Sequence, residues 1–238
     1  LIVPDGLITG QRAEGFRSAL LDLHCVRTVV QLPKGAFKKT DARAFIVILR
    51  KGTPTKTHIA LHRVHHGSLS APISVSKIAA KRRMDYEFHS TLALASEPTL
   101  ESLGAEITRG KLLATKDAPP WLKTFHTTDF PTEHRRAAHK LPRSTKTAND
   151  RNHVIAAPGD ILIARVHRSL HRRICGISAG YAALTGCVFR IRVPQYYRDR
   201  VLDALLSETG AQRIAATARG VGPRMISKSS LQSMPLPW

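Results

Sequence analysis

Aromatic side chains are scarce, making up only 5% of the 238 residues. Proteins that bind single strands or RNA by stacking use aromatic platforms, so this scarcity disfavours that class. Cysteine is rarer still, and Cys25, Cys175 and Cys187 include no CxxC pair. Since nothing suggests a disulfide framework, the pattern predicts free thiols and a cytoplasmic location.

Long apolar runs are also missing from the sequence. No segment is long enough to span a bilayer, and no basic amphipathic helix carries aromatic anchors. No signal peptide is visible, and the chain opens on Leu1-Ile2-Val3 rather than on Met. We therefore expect no membrane partner, and we expect the chain to be part of a larger protein.

Acidic residues are outnumbered, with 17 Asp and Glu against 37 Lys and Arg, which gives a formal net charge of +20. Hydrophobic residues make up 42% of the chain and charged residues 23%, a composition that supports a packed core. A folded chain with this imbalance generally binds a polyanion. Nucleic acid, in particular double-stranded DNA, is the leading candidate partner.

The most informative stretch runs from Ala157 to Arg192. The turn signal Pro158-Gly159-Asp160 precedes an apolar run, Ile161–Ala164, and a second apolar strand is predicted over Val188–Val193. Between the two strands we predict a basic loop, which carries Arg165, His167, Arg168, His171, Arg172 and Arg173. Guanidinium forks suit phosphates and guanine edges, whereas the alternative interpretation is a solvated surface loop.

Three residues in this stretch have a spacing that could suit a metal site. His167, His171 and Cys175 recur every four residues, which on a helix would form one stripe. Zinc requires a fourth ligand, and none is obvious. Because Gly176 and Gly180 interrupt the pattern, we interpret this stretch as a loop between strands and predict no metal site.

The N-terminal part alternates strand and helix patterns. Strands are predicted over Leu1–Val3, Val26–Leu32, Ala44–Leu49 and Thr57–Val64. A helix is indicated by the spacing of Ala13, Phe16, Leu20, Leu21 and Leu23. This order is typical of an α/β fold. The basic run that follows is interpreted as a solvated face, with phosphate contact as the lesser alternative, and comprises Lys77, Lys81, Arg82 and Arg83.

The C-terminal part is predicted to be helical. Val201–Leu206 forms one apolar face, which Gly210 is expected to end, and a second helix is expected to end near Gly220. Ser227 is a suitable N-cap for a short last helix. Between these helices, Arg219 and Arg224 flank a glycine-rich turn that would suit a phosphate.

The pieces L-I-V-P-D-G-L-I, F-R-S-A-L-L, V-V-Q-L-P-K-G-A-F-K-K-T and A-F-I-V-I-L-R-K-G, within Leu1–Gly52, resemble the end of an N-6 adenine DNA methylase of the type I restriction-modification kind. The resemblance implies the last strands of a Rossmann-like methyltransferase sheet. It also implies that Phe37 lies beside the pocket for a flipped adenine. The alternative is a structural role for Phe37 as a core plug, a ring that packs in the core beneath a turn.

Two motifs of that family are not found in this sequence. The family binds S-adenosylmethionine with a Gly-rich turn and holds the target amine with an Asn/Asp-Pro-Pro-aromatic motif. The Pro-Pro-aromatic run here is Ala118-Pro119-Pro120-Trp121, and Ala118 has no side-chain acceptor. We therefore expect no cofactor in this chain, S-adenosylmethionine in the full-length enzyme, and no methylation by the chain alone.

From Thr99 onward the chain resembles a target-recognition domain of a type I specificity subunit. The resemblance rests on T-L-E-S-L-G-A-E-I-T-R-G-K, on A-P-G-D-I-L-I-A-R and on the ending R-G-V-G-P-R-M-I-S-K-S-S-L-Q-S-M-P-L-P. It implies a small α/β domain that reads half of a bipartite DNA site. The candidate DNA contacts are Arg109, Lys111, Arg165, His167, Arg168, His171, Arg172, Arg173, Arg219, Arg224 and Lys228.

The resulting division is a methyltransferase piece over 1–55, a bridging segment over 56–97 and a target-recognition domain over 98–238. We expect Arg165 and Arg168 to read base edges, and Arg219 and Arg224 to hold the DNA backbone. The tract His134–Lys146 is either a DNA-contacting loop or a mobile tail.

The sequence is compatible with three functions. In the first, the chain is part of an adenine methylase that binds DNA and works with other restriction-modification subunits. The second is a non-catalytic, specificity-type DNA-binding module, and the third is a basic RNA-binding protein.

Overall fold

A computed structural model describes residues 1–33, 35–38, 42–92, 96–112, 122–131, 139–142, 153–220 and 222–238. The run Ala118–Trp121 and most of the tract His134–Lys146 lie outside the described residues. The predicted α/β class is confirmed, since helices alternate with mixed sheets. The chain divides into an N-terminal unit, formed by 1–93 with 219–222, and a C-terminal unit, formed by 94–218 with 223–238.

Strands and helices alternate in the N-terminal unit. In chain order they are β1 (Ile2–Pro4), α1 (Asp5–Thr9), α2 (Glu14–Leu23), β2 (Cys25–Gln31), β3 (Ala44–Arg50), β4 (His58–His65), β5 (Ser68–Leu69), β6 (Ile73–Ser76), α3 (Lys77–Arg82) and α4 (Tyr86–Leu92). All four predicted strands and the predicted helix are confirmed here within a residue or two at their ends.

The N-terminal sheet has the strand order β1-β3-β2-β4-β5, and β6 also pairs with β4. β3 is antiparallel to both of its neighbours, whereas β2 and β4 are parallel. Alternate strand residues such as Phe45 and Leu61 are fully buried with Leu21 of α2. On the opposite face Ile2 and Ile48 are 65% and 50% exposed. Strands β4 and β6, from the stretch interpreted as a bridge, thus belong to the same sheet as β2.

Arg83 corrects the interpretation of the basic run as a solvated face. Its side chain is 0% exposed and forms an ion pair with Asp85, which is equally buried. Lys77 and Lys81 also have a partner, because both ammonium groups lie 2.8 Å from the carboxylate of Asp22. The run therefore links α3 to α2 through ion pairs and also supplies a buried charge. Neither role can be seen from the number of basic residues.

Short strands and three helices form the C-terminal unit. In chain order they are β7 (Glu106–Arg109), β8 (Thr124–Phe125), β9 (His139–Lys140), β10 (Ile155–Ala156), β11 (Ile161–Ala164), β12 (Val166–His167), β13 (Ile174–Ala179), β14 (Ala182–Leu184), β15 (Val188–Arg192), α5 (Arg198–Leu206), α6 (Glu208–Thr217), β16 (Arg224–Met225) and α7 (Lys228–Gln232). Among the described helices of the whole chain, none is long and apolar enough to cross a membrane.

The main sheet of this unit has the order β7-β15-β11-β13-β9. A second sheet has the order β10-β14-β8, and β12 pairs with β16. The core of the unit lies between the main sheet and the helices, where Ile161, Ile163, Val201 and Leu205 are fully buried. The apolar run Ile161–Ala164 is buried at every residue because it is a central strand with cover on both faces.

Two sequence interpretations are wrong in this unit. The stretch between the two predicted strands is not one loop, because Ile174–Ala179 forms β13 and pairs with β11. Gly210 does not end a helix, since α5 ends at Leu206 and Gly210 lies in the first turn of α6. A Cβ at Gly210 would lie 2.0 Å from the carbonyl oxygen of Ala204, so the two helices approach closely there. The N-cap predicted at Ser227 is confirmed, because its hydroxyl accepts from the Ser230 amide.

Candidate nucleic-acid interface

Strand directions bring most of the candidate basic residues to one edge of the main sheet. β7 and β11 both run antiparallel to β15, so both end where β15 begins. β13 is antiparallel to β11 and therefore begins at the same edge. We call the residues at this edge the basic edge: Arg109, Lys111, Arg165, His167, Arg168, His171, Arg172 and Arg173.

Two of these arginines meet at one backbone carbonyl. Arg109, the last residue of β7, donates from Nε to the Gly186 oxygen at 2.9 Å. Arg165, which follows β11, donates from Nε to the same oxygen at 2.9 Å. Burial, and next the positive charge of Arg109, lower the pKa of Arg165. The two side chains are thus held together despite their like charge.

The remaining loop arginines differ in how firmly they are held. Arg173 is half-buried and donates from Nη1 to the Phe130 carbonyl at 3.2 Å. Arg168 and Arg172 are exposed, and among the described residues their side chains have no hydrogen-bond or ion-pair partner. The loop therefore presents two guanidinium groups that are available to a ligand.

The histidines of the loop do not form a stripe with Cys175. His167 lies in β12, where its Nδ1 accepts from the Ser169 amide at 3.0 Å. His171 lies in a short 3-10 turn, Leu170–Arg172. Cys175 is buried in β13, and burial raises the pKa of its thiol to about 12. The three side chains are thus distributed over three different elements.

At the opposite edge of the sheet the arginines are neutralised. Arg190 lies 3.2 Å from the carboxylate of Glu106, and Arg192 lies 2.7 Å from that of Asp160. On the basic edge, by contrast, Arg109, Arg165 and Arg173 donate to carbonyl oxygens and form no ion pair with a described carboxylate. Arg109, Arg165 and Arg173 thus have no described carboxylate partner, whereas Arg190 and Arg192 each have one.

Strand β16 brings two further candidates near this edge. It pairs with β12 so that Arg224 lies opposite His167 and Met225 opposite Val166. Arg224 donates from Nη2 to the carbonyl of Ala215 at 2.6 Å and to that of Ala218 at 3.3 Å. It thus binds the last carbonyl groups of α6. Lys228 is exposed at the first position of α7.

Two other sequence candidates belong to the N-terminal unit. Arg219 belongs to the N-terminal unit, where burial and then the charge of Arg83 lower the pKa of its guanidinium. Phe37 also lies in that unit, in the stretch between β2 and β3, and is 41% exposed. The structure therefore brings together the candidates from residues 109–173, whereas Arg219 and Phe37 belong to the other unit.

The N-terminal unit contains a cleft of about 220 Å³ at the carboxyl ends of β2 and β4. It is lined by Gln31, Leu32, Pro33, Arg43, Arg63, Val64, His65 and Glu87. The carboxylate of Glu87 is already ion-paired with Arg43 at 3.0 Å. Among the described lining residues the remaining charge is positive, which does not suit the cationic sulfonium of S-adenosylmethionine.

Sequence reasoning missed the backbone groups that hold the arginines. Gly186 supplies the carbonyl for Arg109 and Arg165, although it lies far from both in sequence. Gly110 lets β7 approach the turn before β15, because a Cβ there would lie 2.2 Å from the Thr185 oxygen. In the sequence, the only indication of this close approach is the glycine that follows Arg109, and it does not identify the carbonyl group that Arg109 binds.

Comparison with known proteins gives one family match, over residues 1–72, to the model of the N-6 DNA methylases. No curated protein matches the chain. A modification subunit assigned to a type I restriction enzyme from Vibrio vulnificus YJ016 is 27% identical over 28% of this chain and 14% of its own, with a TM-score of 0.24.

Two further solved structures resemble the chain. The type IIG restriction endonuclease BpuSI is 10% identical over 100% of this chain and 39% of its own, with a TM-score of 0.42. A chain from a type I restriction-modification system is 18% identical over 63% of this chain and 40% of its own, with a TM-score of 0.37. This chain thus spans well under half the length of each structure. Because all three TM-scores are below 0.5, the relation rests on the family match, which shows that residues 1–72 are similar to the N-6 DNA methylases.

Proposed function

We propose that this chain is the DNA-recognition part of an adenine-N6 DNA methyltransferase of a restriction-modification system. In this proposal the C-terminal unit is a target-recognition domain like those of type I specificity subunits. It binds double-stranded DNA through the basic edge, and the full-length enzyme works with other restriction-modification subunits in the cytoplasm. The family match over residues 1–72 supports the methylase part of the proposal.

The observation that carries the DNA-binding proposal is the unbalanced charge of the main sheet. Arg190 and Arg192 are paired with carboxylates at one edge. The arginines of the basic edge are exposed or bound to neutral carbonyls. A cationic edge that forms no ion pair with a described carboxylate can bind a polyanion, and this binding releases the counterions of the polyanion.

The shape of the basic edge favours duplex DNA over RNA. Arg168 and Arg172 project from a loop, and such a loop fits the major groove of B-form DNA, where arginine binds guanine through O6 and N7. The deep and narrow major groove of an RNA duplex excludes side chains. Stacking on single strands requires aromatic residues, which make up only 5% of the chain.

Charge removal at the loop tests this proposal. Arg168→Gln with Arg172→Gln is expected to weaken binding to a randomised duplex pool about tenfold and to relax the selected sequence. Arg198→Gln is the matched control, because the Arg198 side chain is 41% exposed, pairs with Asp199 and lies beside Gly159 at the opposite edge. Equal binding and equal selectivity of the loop variant and the control would contradict the proposal.

S-adenosylmethionine binding is proposed to belong to the full-length enzyme rather than to this chain. The cleft at β2 and β4 is positively charged, and the one carboxylate among its lining residues is taken by Arg43. When bound, S-adenosylmethionine supplies the methyl group. Calorimetric titration of this chain with S-adenosylmethionine is expected to give no saturable heat, and binding in the micromolar range would contradict this assignment.

Phe37 is proposed to contact the flipped adenine in the full-length enzyme. Its ring is 41% exposed and follows the turn at Gly35, so the ring is accessible to a base. The full-length enzyme can be titrated with a duplex that contains 2-aminopurine at the target position. Phe37→Ala is expected to raise the fluorescence of the flipped 2-aminopurine, because stacking on an aromatic ring quenches it, and an unchanged signal would favour the core-plug role.

A further inference from the structure

The Arg109 and Arg165 side chains differ from the other arginines of the basic edge because they share one acceptor. Both Nε atoms donate to the Gly186 oxygen at 2.9 Å. One neutral carbonyl accepts two hydrogen bonds but neutralises neither charge. Two guanidinium groups are thus fixed side by side, with an excess of about two positive charges.

Backbone geometry maintains this pair. A Cβ at Gly186 would lie 3.1 Å from an Nη atom of Arg109 and 3.6 Å from its Nε, so any other residue would crowd the side chain. Arg165 is held at a second point, because its Nη1 lies 3.2 Å from the sulfur of Met225. Each guanidinium has therefore lost much of its rotamer freedom before any ligand arrives.

We propose that the Arg109–Arg165 pair binds a single backbone phosphate of duplex DNA, and this rests on the proposed function. A phosphodiester carries one negative charge and accepts parallel hydrogen bonds from guanidinium forks, which suits two fixed, adjacent cations. Arg168 and Arg172, whose side chains have no partner among the described residues, are left to reach the base edges. Arg165, which the sequence places among the base-reading residues, is thus assigned to positioning the DNA.

A scan of the duplex with neutral methylphosphonate linkages identifies the contacted phosphate. For the parent chain, one position is expected to lower affinity roughly tenfold. Arg109→Gln and Arg165→Gln are each expected to remove the sensitivity at that same position and to lower affinity for all sequences alike. The double variant is expected to lose no more than about one phosphate contact, seen as a change of about 0.9 in the slope of log affinity against log salt.

A second variant separates a binding role from a structural one. Arg165→Lys keeps the charge, so its salt slope is expected to stay close to that of the parent, and its thermal unfolding is expected to match that of Arg165→Gln. Loss of all binding by the lysine variant, together with a lower melting temperature, would show that Arg165 only supports the fold and would overturn the inference.

Two other outcomes distinguish this inference from the proposed function. If the parent binds duplex DNA but the two variants act at different phosphates, or change the preference at one base pair, the shared phosphate site is wrong and the proposed function stands. If the parent does not bind duplex DNA while it is folded, both are overturned.

Discussion

Arginine side chains bind backbone carbonyl groups in several parts of this molecule. Arg17 is the extreme example, because it is 0% exposed and donates to the carbonyls of Leu7, Gly10, Lys81 and Arg82 at 2.7–2.9 Å. Burial lowers the pKa of its guanidinium to about 10. A high arginine content therefore reflects internal support as well as a charged surface.

At Arg224, a role in stabilising the fold can be distinguished from a role in DNA contact. Since its guanidinium binds the carbonyls of Ala215 and Ala218, Arg224→Ala is expected to lower the free energy of unfolding by about 1–3 kcal/mol. Urea denaturation, followed by the circular dichroism of the helices, measures this loss. Arg198→Ala is the control and is expected to change stability by less than about 0.5 kcal/mol.

The sequence alone assigned Arg224 to the DNA backbone. An Arg224→Ala variant that is as stable as the parent, but binds DNA more weakly with a flatter salt dependence, would support that earlier assignment and contradict the supporting role.

His89 makes the stability of the N-terminal unit depend on pH. Its ring is buried and its Nε2 donates to the Arg83 carbonyl at 2.8 Å, and burial lowers its pKa below the ordinary value of about 6.5. The unfolded chain therefore binds the proton more readily. The stabilising contribution is complete above about pH 6.5 and is lost as the pH falls through that value towards the folded pKa.

Denaturation between pH 7.5 and 5 is expected to show this loss in the parent, at no more than about 1.4 kcal/mol per pH unit for one proton. His89→Gln removes the titrating ring and is expected to flatten the dependence. The exposed His58→Gln serves as the control and is expected to keep the parent profile. Identical profiles for the parent and His89→Gln would show that His89 is not the source.

At the scale of elements, the position of β7 depends on Gly110. Because a Cβ there would lie 2.2 Å from the Thr185 oxygen and 2.4 Å from the Leu184 oxygen, Gly110→Ala is expected to push β7 away from the turn that ends at Gly186. The expected cost is about 1–3 kcal/mol, with weaker DNA binding because Arg109 is displaced.

Thermal unfolding and DNA titration of Gly110→Ala measure both effects. Gly15→Ala is a suitable control, because Gly15 lies in α2 and a Cβ there would meet nothing within 4 Å. An alanine variant that melts and binds like the parent would mean that β7 tolerates the displacement.

Elements with a continuous apolar pattern could be predicted from the sequence, and those set by distant contacts could not. Ile161–Ala164 and Ala44–Leu49 are strands because uninterrupted apolar runs have no other way to be buried. Gly176 and Gly180 predict a loop at β13, but Gly176 pairs with Ile161 of β11, and only Gly180, which directly follows the strand with a positive φ, lies outside it. Gly210 was taken for a helix end because its contact with Ala204 cannot be read from local sequence.

The features of the candidate site likewise fall into those that the sequence reveals and those that it does not. The basic loop was visible as a run of arginines, and strand directions place Arg109 beside it. The acceptors that decide what each arginine does, such as the Gly186 and Ala215 carbonyls, are backbone groups without a sequence signature. For that reason sequence alone grouped Arg165 with Arg168, and Arg219 with Arg224, although their surroundings differ.

At the scale of the whole molecule, the cations behind the net charge of +20 lie in different surroundings. Some of this charge lies inside, on Arg17 and Arg83, and some is balanced by carboxylates, as on Arg192. The exposed cations of the basic edge are the part of this charge that we propose binds a polyanion. The account therefore predicts electrostatic binding through a limited number of phosphate contacts rather than a uniform response to the total charge.

Titration of the folded chain with labelled duplex DNA across a series of salt concentrations tests this account most directly. We expect log affinity to fall linearly with log salt, at about 0.9 per phosphate contact, and duplex DNA to be preferred over RNA of the same sequence. Neutralising Arg109, Arg165, Arg168 and Arg172 with glutamine is expected to flatten that slope, whereas Arg198→Gln is not. A salt profile that is flat for the parent, or a preference for RNA, would contradict the account.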